Sequence, residues 1–164
     1  MHIRNAQTND FQQIINIYNS TIASRQVTAD LQEVSLESRQ NWFASHQNQA
    51  NRPMLVMVDD KDTVLAWGTF SDYYPRDAYN ITAEISIYVH QEHRGQQLGQ
   101  RMLQHMLDMA PSLKILNVIA VIFAHNKPSV KLFEKFGFKH WGRLPQVCQL
   151  DQQLADIVLL GKRL

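Results

Sequence analysis

The stretch "TAEISIYVHQEHRGQQLGQRMLQHML", Thr82 to Leu107, decides how the chain is built. Its first part alternates as a strand does, with Glu84, Ser86 and Tyr88 on one face and Ile85, Ile87 and Val89 on the other. Its last part carries apolar residues at helical spacing. Between them lies a turn with two glycines, Gly95 and Gly99. The first N–H groups of a helix lack intrahelical partners and sit at the positive end of its dipole, so a loop that enters a helix in this way can hold a phosphate. Arg94 and Arg101 are at hand as charged partners. No Gly-Lys-Ser/Thr follows, which excludes a P-loop, and the third glycine of a dinucleotide fingerprint is absent. On spacing alone, a phosphate site and a plain strand-to-helix turn are equally good readings. Glu84 also has two. It is either a general base whose burial raises its pKa or a solvent-facing residue paired with a lysine or arginine.

Working outward, "HIRNA" (2–6) reads as a first strand, and Thr8, Asn9 or Asp10 as the cap of a helix. That helix carries Phe11, Ile14, Ile15, Tyr18 and Ile22 on one face. Ser35 caps a second helix, "LESRQNWFASH", with Leu36, Trp42 and Phe43 inward. Pro53 opens the strand "MLVMV", and "DDKD" turns the chain into "TVLAWGTF" as a hairpin. The loop "SDYYPRDAYN" leads into the Glu84 strand. After the glycine-loop helix, "KILNVIAVIFA" is apolar throughout, as a parallel strand covered on both sides would be. A helix opens at Asn126, Lys127 or Pro128 and stops at Gly137, and "FKHWGRL" and "LADIVLLGKRL" close the chain as strands. The expected class is α/β (α+β): a mixed, mostly antiparallel sheet of about seven strands, helices on both faces and one β-α-β crossover at the glycine loop.

The length of 164 residues suits one domain spanning 1–164. Net charge is +1 with no Lys/Arg cluster, which argues against nucleic acid or an anionic membrane as partner. The first residues lack the apolar core of a signal peptide, and the run Ile115–Ala124 is too short to span a membrane. The expected location is the cytoplasm. Cys148 is alone, so no intrachain disulfide forms, and the seven histidines lack metal-ligand spacing, so no metal is expected.

"YVHQEHRGQQLGQRMLQHML" followed by "NKPSVKLFEKFGF" resembles the GNAT superfamily of acetyl-CoA-dependent N-acyltransferases. "AYNITAEISIYV" and "IYNSTIASRQVTAD" are similar to its phosphinothricin and methionine sulfoximine N-acetyltransferase group. The resemblance spans essentially the whole chain. It implies that Ile87, Tyr88 and Val89 splay from the neighbouring strand and offer backbone groups to pantetheine. The amides of Arg94, Gly95, Gln96, Gln97, Leu98, Gly99 and Gln100 would hold the pyrophosphate. Asn126 and Ser129 would stand near the reactive end of acetyl-CoA, Glu84 would be the base, and Arg76 and Tyr79 would meet the acceptor's carboxylate end. It also implies a small-molecule amine substrate and a homodimer. Rival readings are a polyamine, aminoglycoside or peptide N-terminus as acceptor, or a catalytically silent acyl-CoA-binding module. Three features depart from the pattern, one being that "VTAD" and "PQVCQL" differ from the substrate-lining stretches of the group's herbicide-detoxifying members. Gln97 stands at the first motif glycine, where an ordinary negative φ is expected. Phe133 replaces a tyrosine that protonates the departing thiolate in many members.

Overall fold

A computed structural model describes residues Met1–Leu164. The strands are β1 (His2–Asn5), β2 (Met54–Val58), β3 (Val64–Asp72), β4 (Thr82–Val89), β5 (Asn117–Phe123), β6 (Lys139–Leu150) and β7 (Gln153–Arg163). The helices are α1 (Phe11–Ile22), α2 (Leu36–Asn48), α3 (Leu98–Met109) and α4 (Lys127–Lys135). The strands form one seven-stranded sheet in the order β1-β2-β3-β4-β5-β7-β6. Every neighbouring pair is antiparallel except β4 and β5, which α3 joins as a crossover. The expected element order and mixed sheet are therefore present.

Strand alternation divides the core between the two faces of the sheet. On β2, Leu55 and Met57 point to one side, where they pack with Met102, Leu103 and Met106 of α3 and Phe133 of α4. Met54, Val56 and Val58 point to the other, against Ile14 and Ile17 of α1 and Phe43 of α2. Helices thus cover both faces, α1 and α2 on one and α3 and α4 on the other.

Local signals account for most helix ends. Ser35 accepts from the Ser38 N–H (3.1 Å) and Asn126 Oδ1 from the Ser129 N–H (3.3 Å), capping α2 and α4. Gly137, at φ +83°, ends α4 in the left-handed conformation that glycine adopts without steric cost.

Several expectations are corrected. Asp10 does not cap α1. A 3₁₀ turn, Thr8–Asp10, precedes the helix, and the Asp10 carboxylate instead takes the Gln7 N–H (2.7 Å) and both guanidinium nitrogens of Arg4 (2.6 and 3.0 Å). Leu36 is only half-buried, and Ile17 is buried alongside the expected inward residues of α1. β5 is not covered throughout, since Val121 is 40% exposed. β6 runs on to Leu150 because bulges after His140 and after Leu144 absorb Pro145 and its neighbours while pairing with β7 continues.

Asp10 lies 3% exposed, and its burial alone would raise its pKa. The Arg4 fork and the Gln7 amide outweigh that and leave it below the ordinary 3.8. A carboxylate with a depressed folded pKa stabilises the fold above its unfolded pKa and loses that contribution as pH falls through the folded value. Arg4→Ala should therefore cost about 2 kcal/mol at neutral pH, because it removes the charge-assisted hydrogen bonds of a buried carboxylate. Urea melts at a series of pH values should show the deficit shrinking below the ordinary aspartate range.

Candidate active site

The ladder between β4 and β5 is short. It pairs Thr82 with Asn117, Ala83 with Val118 and Glu84 with Ile119, and then stops. β4 continues to Val89 held only by β3, and β5 continues to Phe123 held only by β7. A wedge opens between them, lined by Ile85, Ile87, Ala120 and Ile122, with Asn126, Ser129 and Phe133 of the α4 end across its mouth. The backbone groups of β4 that face the wedge have no strand partner, and an extended chain can hydrogen-bond to such an edge.

The wedge widens into a groove of about 550 Å³. Ile87, Tyr88, Val89, Arg94, Gly95, Gln97, Leu98, Gly99, Gln100, Asn126 and Ser129 all line it, so nearly every residue expected at a cofactor comes together there. Gln96 does not; it is exposed beside the loop. The amides of residues 94–100 donate to no backbone or side-chain group of the protein, and the first that does is Arg101, to the Gln97 carbonyl (3.1 Å). Seven free donors at the start of an α-helix suit a pyrophosphate.

Gln97 corrects its expectation. It sits at φ +60°, ψ +15°, in the left-handed region, as the residue before α3. Gly95 is also left-handed (φ +76°), with open space where a Cβ would point. The loop coils too tightly to enter the helix through right-handed residues alone, and an L-residue held this way costs roughly 1–2 kcal/mol. Gly99 has no such strain; its missing side chain leaves room beside Leu132 and Val89.

On the opposite side of β4, a second cavity of about 180 Å³ is lined by Glu84, Ser86 and Tyr88, by Thr69, Ser71 and Trp67 of β3, and by Ile15, Tyr18, Arg39 and Trp42 of α1 and α2. Tyr88 borders both cavities. Glu84 occupies the apex, at the last rung before the strands part. Burial pushes its carboxyl pKa above the ordinary range, and no charged or hydrogen-bonding neighbour contributes. The reading of Glu84 as an ion-paired surface residue is set aside.

Trp67 stacks on Tyr88 (4.2 Å between centroids, 17° between planes) and meets Trp42 edge-on at 5.8 Å. Tyr18 hydrogen-bonds Thr28 and Asp30, and its pKa is pushed up to about 12, first by burial and then by Asp30. Arg39 pairs with Asp30 and lies 5.5 Å over the Tyr18 ring.

Arg76 and Tyr79, by contrast, are exposed on the β3–β4 loop and do not line this cavity. Arg76 lies 5.7 Å over Tyr74. The loop itself is anchored from below. The buried Arg52 donates to the carbonyls of Asn80 (2.9 Å) and Thr82 (3.4 Å), and its Nε lies 2.8 Å from Asp72 at an angle that makes an ion pair rather than a hydrogen bond. Sequence reasoning missed Arg39, Trp67 and Ser71. Arg39 stands one helical turn before Trp42, and that spacing was the available signal.

A strand split beneath a helix start, with a half-buried acid at its apex, is the architecture of an acyl-CoA-dependent transferase. Residues 12–138 match the acetyltransferase (GNAT) family. YwnH of Bacillus subtilis, provisionally named a phosphinothricin acetyltransferase, is 46% identical over all of this chain and 99% of its own. The L-methionine sulfoximine/L-methionine sulfone acetyltransferase of Pseudomonas aeruginosa is 30% identical over 96% of this chain and 91% of its own. A provisionally assigned acetyltransferase from Salmonella typhimurium, solved with its cofactor acetyl-CoA, superposes with a TM-score of 0.92 at 27% identity, over 99% of this chain and 93% of that one. The chain belongs to the GNAT family and is an acetyl-CoA-dependent N-acetyltransferase. No helix is long and apolar enough to cross a membrane.

Two outcomes test this geometry. Gln97→Gly should raise stability by about 1 kcal/mol, read as a higher melting temperature, with acetyl-CoA affinity retained because the amide remains. Glu84→Gln should also stabilise the protein near neutral pH. A carboxyl whose folded pKa is raised loses stability as pH climbs from its ordinary 4.5 to the folded value, and a neutral amide escapes that loss. Denaturant midpoints at pH 4 and pH 8 should therefore differ less in the variant than in the wild type.

Proposed function

We propose that the chain acetylates the α-amine of a small amino-acid-like acceptor, with phosphinothricin and methionine sulfoximine as the best named candidates. The observation that carries this reading is Glu84, alone and desolvated at the apex between the two cavities. An α-amine is mostly protonated at neutral pH and cannot attack until it loses that proton. Glu84, directly or through one water, takes it. Acetyl-CoA, when bound, supplies an activated acetyl group as a thioester. The unpaired β4 edge from Ile87 to Val89 aligns the pantetheine arm, and a strand amide near Val89 donates to the carbonyl as negative charge develops. The amides of residues 94–100 hold the pyrophosphate, and Asn126 and Ser129 flank the reactive end. Phe133, packed edge-on against Phe138 in the core, supplies no acid. None is demanded, since a thiol of pKa about 8.5 leaves without one.

The acceptor cavity presents one carboxylate and one guanidinium, which suits a zwitterion better than a polyamine or aminoglycoside. A silent binding module would have no use for a desolvated Glu84. The same reading takes residues 1–164 as one catalytic domain working in the cytoplasm as a homodimer. Exposed Trp141, Leu144, Val147 and Leu154 on the β6–β7 hairpin give a second copy an apolar surface.

The test is release of free CoA thiol from acetyl-CoA across a panel of amino acids. Glu84→Gln should lower kcat by roughly 10²- to 10⁴-fold with acetyl-CoA binding intact. The wild-type rate should rise with pH along a limb displaced above the ordinary glutamate range. If no amine stimulates release while acetyl-CoA still binds, the enzymatic reading is lost; if polyamines react and amino acids do not, the acceptor is wrong.

A further inference from the structure

The cavity at Glu84 holds a single cation, and it is Arg39 rather than Arg76. Arg39 projects from α2, and its side chain is 32% exposed. One of its five N–H groups is engaged, at Nη2 with Asp30, and no other hydrogen bond to a protein group uses the rest. The guanidinium is steadied from two directions, by the Asp30 carboxylate and by the face of Tyr18. Tyr18 in turn donates to the same Asp30 oxygen, so donor, acceptor and ring form one unit joining α1, α2 and the segment between them. A planar fork held in place with donors to spare is the arrangement that binds a carboxylate through two parallel hydrogen bonds.

Glu84 and Tyr88 line the same cavity from β4; burial pushes the Tyr88 hydroxyl pKa up, and beyond that Glu84 raises it and Arg39 lowers it. A zwitterion laid across Tyr88 would thus meet an acid at its amine end and a fork at its acid end. The cavity of about 180 Å³ has room for the head of a small amino acid. Trp67, in the same lining, keeps an indole N–H buried without a partner in the protein. Buried donors are nearly always satisfied, so a ligand or water oxygen is expected there.

We propose that Arg39 is the residue that selects the acceptor's α-carboxylate, with Asp30 and Tyr18 positioning it. This rests on the acceptor class proposed above and narrows it to amino acids with a free carboxyl group. Arg76 and Tyr79, outside the cavity, then contribute to the approach of the acceptor rather than to its anchorage.

The experiment compares methionine sulfoximine with the amine that lacks its carboxyl group, in wild type, Arg39→Gln, Arg39→Lys and Arg76→Gln. Arg39→Gln should raise KM for the amino acid about 10- to 100-fold, the effect of losing hydrogen bonds to a charged group. Its kcat should change little, and its KM for the carboxyl-free amine less than about twofold. Arg39→Lys keeps the charge without the fork and should recover part of the loss. Acetyl-CoA affinity should be the same in all four, which separates lost recognition from a displaced α2. If Arg39→Gln leaves KM for the amino acid unchanged, or raises it equally for both amines, the assignment is wrong. If Arg76→Gln alone raises it, the carboxylate is held by the loop. A wild type that acetylates neither compound nor any other amino acid overturns the acceptor class itself, a result distinct from an active wild type with an indifferent Arg39.

Discussion

Between β4 and β5 the parallel ladder ends at Glu84 and Ile119, although both strands run further. Each strand past that rung is secured on its other edge, β4 by β3 and β5 by β7, so the sheet survives the split. The free edges become the walls of a groove, and the last paired residue becomes its apex. α3 must begin where that groove opens, because it is the crossover joining the two strands, and its unpartnered amides therefore face the mouth. One interrupted ladder places the unpartnered helix start, the extended edge and the acid.

The energetic costs gather at the same place. Glu84 is desolvated without an ion pair, Gln97 is held left-handed, and Trp67 keeps an indole donor without a partner in the protein. Each is unfavourable to folding on its own. The two-sided core, with Met102, Leu103 and Met106 below the sheet and Ile14, Ile17 and Phe43 above it, supplies the rigidity that lets them persist. Charges elsewhere are treated differently. Asp10 and Arg52 are buried too, but each has charged and hydrogen-bonding partners, and both serve to fix loops. The contrast between a partnered buried charge and an unpartnered one separates scaffold from site.

Much of the fold could be read directly from the chain. Period-2 alternation in β4 assigned Glu84 and Ile85 to opposite faces, and the structure sends them to different cavities. Ser35, Asn126 and Gly137 signalled their helix ends by chemistry that acts within a few residues. What failed was longer in range. Asp10 has the chemistry of a cap, and nothing local signals the reach of Arg4 from β1; an ordinary φ suits Gln97 locally, because its amide serves a phosphate whatever the side chain. The loop's closure, set by β4 and α3 together, forced the positive φ. By itself Arg39 carries no local signal, since a lone arginine on an exposed helix is usually only solvated.

The sequence by itself determined the strands, the helices and the glycine loop between β4 and α3, since hydrophobic period, caps and glycines act over one or two turns of chain. It also placed the chain in its family through the glycine loop and the "NKPSVKLFEKFGF" helix. Only the tertiary structure decided which residues surround Glu84. That cavity draws on α1, α2, β3 and β4, elements separated by up to about seventy residues. Their side chains meet because two faces of one twisted sheet must each be covered, and no local pattern encodes which charge arrives opposite which.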